Sequence, residues 1–156
     1  MYLKKRNAFT MLELIFVIVI IGILSAVAIP KFAVNRDDAI IAKAKSTVAA
    51  IRSSIAVERQ KAMLRGVFDP ITSLGSATGY GAEIFEGVNG VSSNSVLTYP
   101  LMSCDDANSQ GCWYTADNAI YTFKMPLVGT ADFNLSSSRF ICNSSPESAN
   151  CKLLTR

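Results

Sequence analysis

The strongest constraint on this 156-residue chain is an apolar stretch that starts with an acid. Phe9 to Ile29 is 21 residues long and, apart from Thr10, Glu13, Gly22 and Ser25, is apolar throughout. As a helix it measures about 31 Å, the thickness of a bilayer's hydrocarbon core. A carboxylate such as Glu13 costs roughly 2.5–3.5 kcal/mol at full membrane depth, so its presence calls for a role. Lys4, Lys5 and Arg6 precede the stretch. By the positive-inside rule they hold the N-terminus in the cytoplasm and send the rest of the chain outward.

Two plainer readings compete. One is a simple anchor with Glu13 near the headgroups. The other is a secretory signal peptide, with Leu14 to Leu24 as apolar core and Ala26-Val27-Ala28 as the cleavage site, leaving a mature chain from Ile29. Glu13 and the continuation of the apolar pattern past that site argue against the second.

The hexapeptide Ala8-Phe9-Thr10-Met11-Leu12-Glu13 resembles the prepilin processing site of type IV pilins and type II secretion pseudopilins. Glu13 stands fifth from Phe9 and Pro30 twenty-second, as in many members of that family. The resemblance covers about residues 4–45. It implies a leader, residues 1–8, removed by a membrane-embedded prepilin peptidase between Ala8 and Phe9, and N-methylation of Phe9. Ala8 departs from the glycine usual before the cut. The family also implies a pilin-like α+β fold. Its partners would be further copies and related subunits, joined through their N-terminal helices, together with the inner-membrane assembly machinery. The expected location is the bacterial inner membrane, single-pass with the head periplasmic, or an extracellular filament.

Assembly gives Glu13 a role. Cleavage frees the Phe9 α-amine, and a neighbour's amine can neutralise a carboxylate that hydrocarbon solvates poorly. The pair then favours one stagger between helices. Phe9, Glu13 and Pro30 are the expected assembly residues.

The remaining chain divides by pattern into an assembly helix at 9–30, an amphipathic helix at 31–65, and a loop-and-sheet head at 66–156. Pro30 removes a helical hydrogen bond and predicts loosening near Ala26–Pro30. Ile41, Ala44, Val48, Ile51 and Ile55 recur at three and four residues, one apolar stripe on a helix reaching about Leu64, with Gly66 as its stop. If unbroken, residues 9–64 span about 84 Å. Six of the nine glycines fall within 66–95, which marks a long connecting loop. Strands are expected at Val96–Tyr99, Trp113–Thr115, Ala119–Met125, Asp132–Leu135 and Arg139–Cys142, with Ser136–Ser138 as a hairpin turn. The small antiparallel sheet they form should cover the helix stripe.

Net charge is +3, all of it from Lys4, Lys5 and Arg6, so a general nucleic-acid patch is not supported. Residues 31–65 carry eight basic and three acidic side chains, and residues 66–156 four basic and eight acidic. An acidic head meeting the basic stem of another copy is one reading; a basic stretch near anionic lipid headgroups is the other.

Cys104, Cys112, Cys142 and Cys151 make an even count in an extracytoplasmic part, which reads as two disulfides. The pairings 104–112 and 142–151 close short loops. Zinc is disfavoured by the spacing and by the lack of any histidine.

An enzyme is not supported: without histidine the commonest general base is missing, and no nucleophile elbow or phosphate loop is present. No cofactor is implied, apart from calcium, which major pseudopilins bind. Asp105, Asp106, Asp117 and Asp132 are the oxygen donors that could serve it, without EF-hand spacing. The expected function is a structural filament subunit, a type II secretion pseudopilin first and a type IV pilin (adhesion, motility or DNA uptake) second. A non-polymerising membrane-anchored binding module is a third reading.

Overall fold

The computed structural model describes residues 9–91, 94–127, 129–144 and 148–156, except the side chains of 33 and 34. The leader, with Lys4, Lys5, Arg6 and Ala8, lies outside the described residues. The chain forms two compact units, residues 1–36 and 37–156.

In the first unit the described residues from Met11 onward belong to helix α1 (Met11–Leu64). Its large apolar side chains, from Phe9 to Phe32, are exposed. α1 runs through Pro30, so the expected loosening there does not interrupt the helix.

The second unit holds the rest of α1 and an α+β head. Ala44, Val48, Ile51 and Ile55 are buried, and Ile41 packs beside them, so the apolar stripe is the core face of the helix. The helix ends in a Schellman motif: Gly66 adopts φ +77°, its N–H donates to the Met63 carbonyl at 3.0 Å, and the Val67 N–H donates to Ala62 at 2.9 Å.

Two short strands, β1 (Glu83–Ile84) and β2 (Leu101–Met102), pair in a sheet of their own. Four more, β3 (Cys112–Thr115), β4 (Ile120–Lys124), β5 (Thr130–Ser136) and β6 (Arg139–Cys142), form an antiparallel sheet in that spatial order. Alternation turns Trp113, Tyr121, Phe123, Phe133 and Phe140 into the core with the α1 stripe. These rings pack closely, stacked at a centroid distance of 4.9 Å for Phe133–Phe140 and tilted at 5.1 Å for Trp113–Phe123. The β5–β6 turn is two residues, Ser137 and Ser138, both at positive φ, and Ser136 pairs with Arg139 as the last rung.

Three elements differ from expectation, the first being β1, whose Glu83–Ile84 lies within the stretch read as connecting loop. Val96–Tyr99 is not a strand: Val96 is buried, but Tyr99 is exposed and Pro100 has no N–H for a ladder. Pairing begins beyond the proline, where β2 meets β1. The C-terminus forms a helix, α2 (Ala149–Thr155), capped by the Ser148 hydroxyl, which accepts from the Cys151 N–H, and anchored by buried Leu154.

The long connection from Gly66 to Pro100 meets several of its backbone donors with side-chain acceptors. The Tyr121 hydroxyl accepts from the Leu74 N–H at 2.8 Å, Ser138 Oγ from the Ile71 N–H at 2.9 Å, and Asn89 Oδ1 from the Thr72 N–H at 2.8 Å. Ile71, Leu74, Phe85 and Val88 insert into the core between these ties.

Candidate functional site

At the N-terminal end of α1, Thr10 and Glu13 form a reciprocal cap. The Glu13 N–H donates to Thr10 Oγ1 at 3.2 Å, and the Thr10 N–H donates to Glu13 Oε2 at 3.4 Å. This is the capping-box arrangement, Thr-x-x-Glu, in which two otherwise orphaned donors are satisfied. The acid therefore has a local function within its own chain. Reading the sequence for membrane and processing signals passes over Thr10, although the four-residue capping pattern is legible there.

Around that cap the surface is apolar. Phe9 is 79 % exposed, and exposed large apolar side chains continue along the helix to Phe32. The helix is long and apolar enough to cross a membrane. Exposed apolar side chains over so much of a helix need lipid or other helices around them. Pro30 lies exposed within the same unit. Ala8, the other processing residue, is outside the described residues.

In the head, Cys104 is bonded to Cys112 and Cys142 to Cys151, with Cα–Cα distances of 5.3 and 6.0 Å. The first closes the loop that carries Asp105 and Asp106; the second ties α2 to β6.

The four aspartates considered for calcium do not converge. Asp106 Oδ1 accepts from the Asn108 and Ser109 N–H groups and the Ser109 hydroxyl. Those hydrogen bonds, Asn108 first, hold its carboxyl below the usual range. Asp117 Oδ1 accepts from the Ala119 and Ile120 N–H groups, which lower its pKa in the same way. Asp132 accepts from the Thr122 hydroxyl at 2.7 Å, and Asp105 is exposed. Among the described residues no three acidic, histidine or cysteine side chains come together as a metal site.

Glu86 is an acid that the sequence pattern does not single out. Burial pushes its pKa up, but Oε1 accepts from the Ser76 N–H at 2.6 Å, the Ser76 hydroxyl and the Ala77 N–H, and together these bring it below the ordinary value. Oε2 packs against Gly75, where a Cβ would collide with it. Burial raises the Tyr121 hydroxyl to about 12, with the Glu86 and Asp117 charges adding to the effect. That phenol therefore stays protonated and neutral at physiological pH.

Comparison with known proteins bears on part of the chain. The prokaryotic N-terminal methylation motif matches residues 3–29. The type IV narrow pilus major component PilA5 of Thermus thermophilus is 47% identical over 53 residues, which are 34% of this chain and 46% of that protein. The match thus spans less than half the length of the relative. No solved structure matches the chain. The chain thus carries a prokaryotic N-terminal methylation motif, and a long N-terminal helix followed by a small antiparallel sheet gives it a pilin-like α+β fold.

Proposed function

We infer that this protein is a subunit of a type IV pilus-like filament, assembled from the inner membrane by packing of its N-terminal helices. The observation that carries the reading is the apolar surface from Phe9 to Phe32, exposed along the helix and headed by Glu13. Such a surface is stable in lipid, and equally stable against the same surface of other copies. Processing after Ala8 and methylation of Phe9 would precede assembly, and the freed amine of one copy would neutralise Glu13 of the next. The role is structural; Cys104–Cys112 and Cys142–Cys151 would keep the head intact outside the cytoplasm.

The pilus reading is favoured over the secretion reading because PilA5 is a pilus component. A type II secretion pseudopilin stays as the second reading, since the matched part is the N-terminal segment that both kinds of subunit carry. Immunogold electron microscopy of intact cells with an antibody to the head separates them. Labelled long surface fibres are the expected result. Label confined to the envelope, with a secretion defect in a deletion strain, would replace the pilus reading by the pseudopilin.

A further inference from the structure

The head carries a basic groove. It lies between α1 and β6, has a volume of about 390 Å³, and is lined by Arg52, Ile55, Ala56, Ser138, Arg139 and Ile141, with Phe140 at its base. β6 is an edge strand. Arg52 Nε donates to the Phe140 carbonyl at 3.0 Å, and Arg59 Nη1 donates to Ser138 Oγ at 2.6 Å. Both guanidiniums are thus held by neutral acceptors. Arg139 is exposed. Among the described residues none of the three makes an ion pair; the pair seen there is Lys61 with Glu58. An exposed sheet edge guarded by arginines is protected against strand pairing, and it is also pre-set for carboxylates.

The same head presents the complementary group. Asp105 and Asp106 sit exposed on the loop closed by Cys104–Cys112. That loop is braced by Lys124, whose Nζ donates to the Asp106 and Ala107 carbonyls at 3.2 and 2.8 Å while lying over the Tyr80 ring. A braced loop loses little conformational entropy on docking.

Resting on the filament reading above, we propose that the Arg52–Arg139 groove of one copy receives the Asp105–Asp106 loop of the next. The two surfaces are different parts of one head, so the contact is heterologous. Heterologous contacts propagate into rings or open helical assemblies instead of stopping at a dimer. The contact thus adds a direction and a register to association that apolar helices alone would leave loose. Arg59 acts as a positioning residue here: it holds the Ser137–Ser138 turn from which Arg139 projects.

The test uses the full-length chain in its membrane, as a mixture of isotopically labelled and unlabelled copies. Arg139→Lys retains the charge and introduces an amine that a zero-length carbodiimide can join to a carboxylate. Intact disulfides, checked on non-reduced peptides, show that the variant is folded. The expected product is an intermolecular peptide pair joining position 139 to Asp105 or Asp106. Adding Arg52→Glu should lower its yield about tenfold, and raising the salt concentration should lower it as well. If N-terminal helices of different copies cross-link while position 139 joins other carboxylates or none, the groove assignment falls and the filament reading stands. If copies cross-link through neither region, both fall.

Discussion

Glu13 serves two purposes that single substitutions can separate. In its own chain it caps α1 through the Thr10 N–H. In an assembly its charge would meet the Phe9 amine of another copy. Glu13→Gln keeps an acceptor for the cap, since glutamine serves at that position of a capping box, but removes the charge. Glu13→Ala removes both. The expected outcome is that both variants insert into the membrane yet fail to form filaments, measured as sheared fibre mass per cell. Wild-type assembly by Glu13→Gln alongside failure of Glu13→Ala would assign the residue to capping instead. Glu86 allows a prediction with a pH sign. Its folded pKa lies below the unfolded value, so it contributes stability above the unfolded pKa, near 4.5, that is lost as pH falls through the folded pKa. Glu86→Ala, which gives up the hydrogen bonds from Ser76 and Ala77, should cost about 1–3 kcal/mol at neutral pH. The difference from wild type should shrink in acid below pH 4.5, followed by near-ultraviolet circular dichroism of the full chain in detergent. A gap that stays constant down to strong acid would show that the carboxylate's charge is not what holds the Ser76–Ala77 backbone.

At the scale of elements, the core face of α1 and the C-terminal clasp make separate contributions. Ile51 is wholly buried under the aromatic sheet face, so Ile51→Ala should destabilise the head by about 2–5 kcal/mol. Removing Cys142 and Cys151 together should cost about 2.5 kcal/mol, the loop-closure value for a separation of nine residues, and should free α2 first. Amide exchange would then accelerate at Ala149–Thr155 before β4 or β5; uniform acceleration would contradict the local role. These elements also show where sequence reasoning succeeds. The α1 stripe is legible because apolar residues recurring at three and four from Ile41 to Ile55 fit one face of a helix and no strand period. β3 to β6 are legible because Tyr121, Phe123 and Met125 alternate, and because serines separate the last two strands. β1 and β2 are not: two residues each give no period, and their pairing joins Ile84 to Leu101 across a loop. α2 is barely two turns, although Ser148 ahead of Cys151 and Leu154 holds a capping signal. Of the candidate sites, the N-terminal segment is local and can be read directly. The arginine groove cannot, because Arg52 and Arg139 meet only through folding, and charge counts along the chain report regions rather than surfaces.

For the whole molecule, the decisive matter is where the mature chain begins. The signal-peptide reading starts it at Ile29 and discards nearly all of the exposed apolar helix. The remaining head would keep its core, because Ala44 to Ile55 lie beyond the cut, and could function as a secreted protein. The pilin reading starts it at Phe9 and retains that helix, with the capping box intact because the Phe9–Thr10 peptide bond survives. The two outcomes leave chains that differ by 20 residues at the N-terminus. Intact mass and N-terminal peptide sequencing of the protein from its native membrane therefore decide between them. A chain starting at Phe9 and carrying one additional methyl group is the expected result. A start at Ile29 would remove the helical surface on which assembly depends, and with it the filament function. A start at Phe9 without the methyl would keep the filament reading and drop only the modification. Ala8→Gly supplies the residue usual in the family and should raise the processed fraction; Ala8→Leu should block it by crowding the backbone at the cut. A chain left unprocessed retains Lys4, Lys5 and Arg6 and has no free Phe9 amine, so it should remain in the membrane with the head folded and no filament formed.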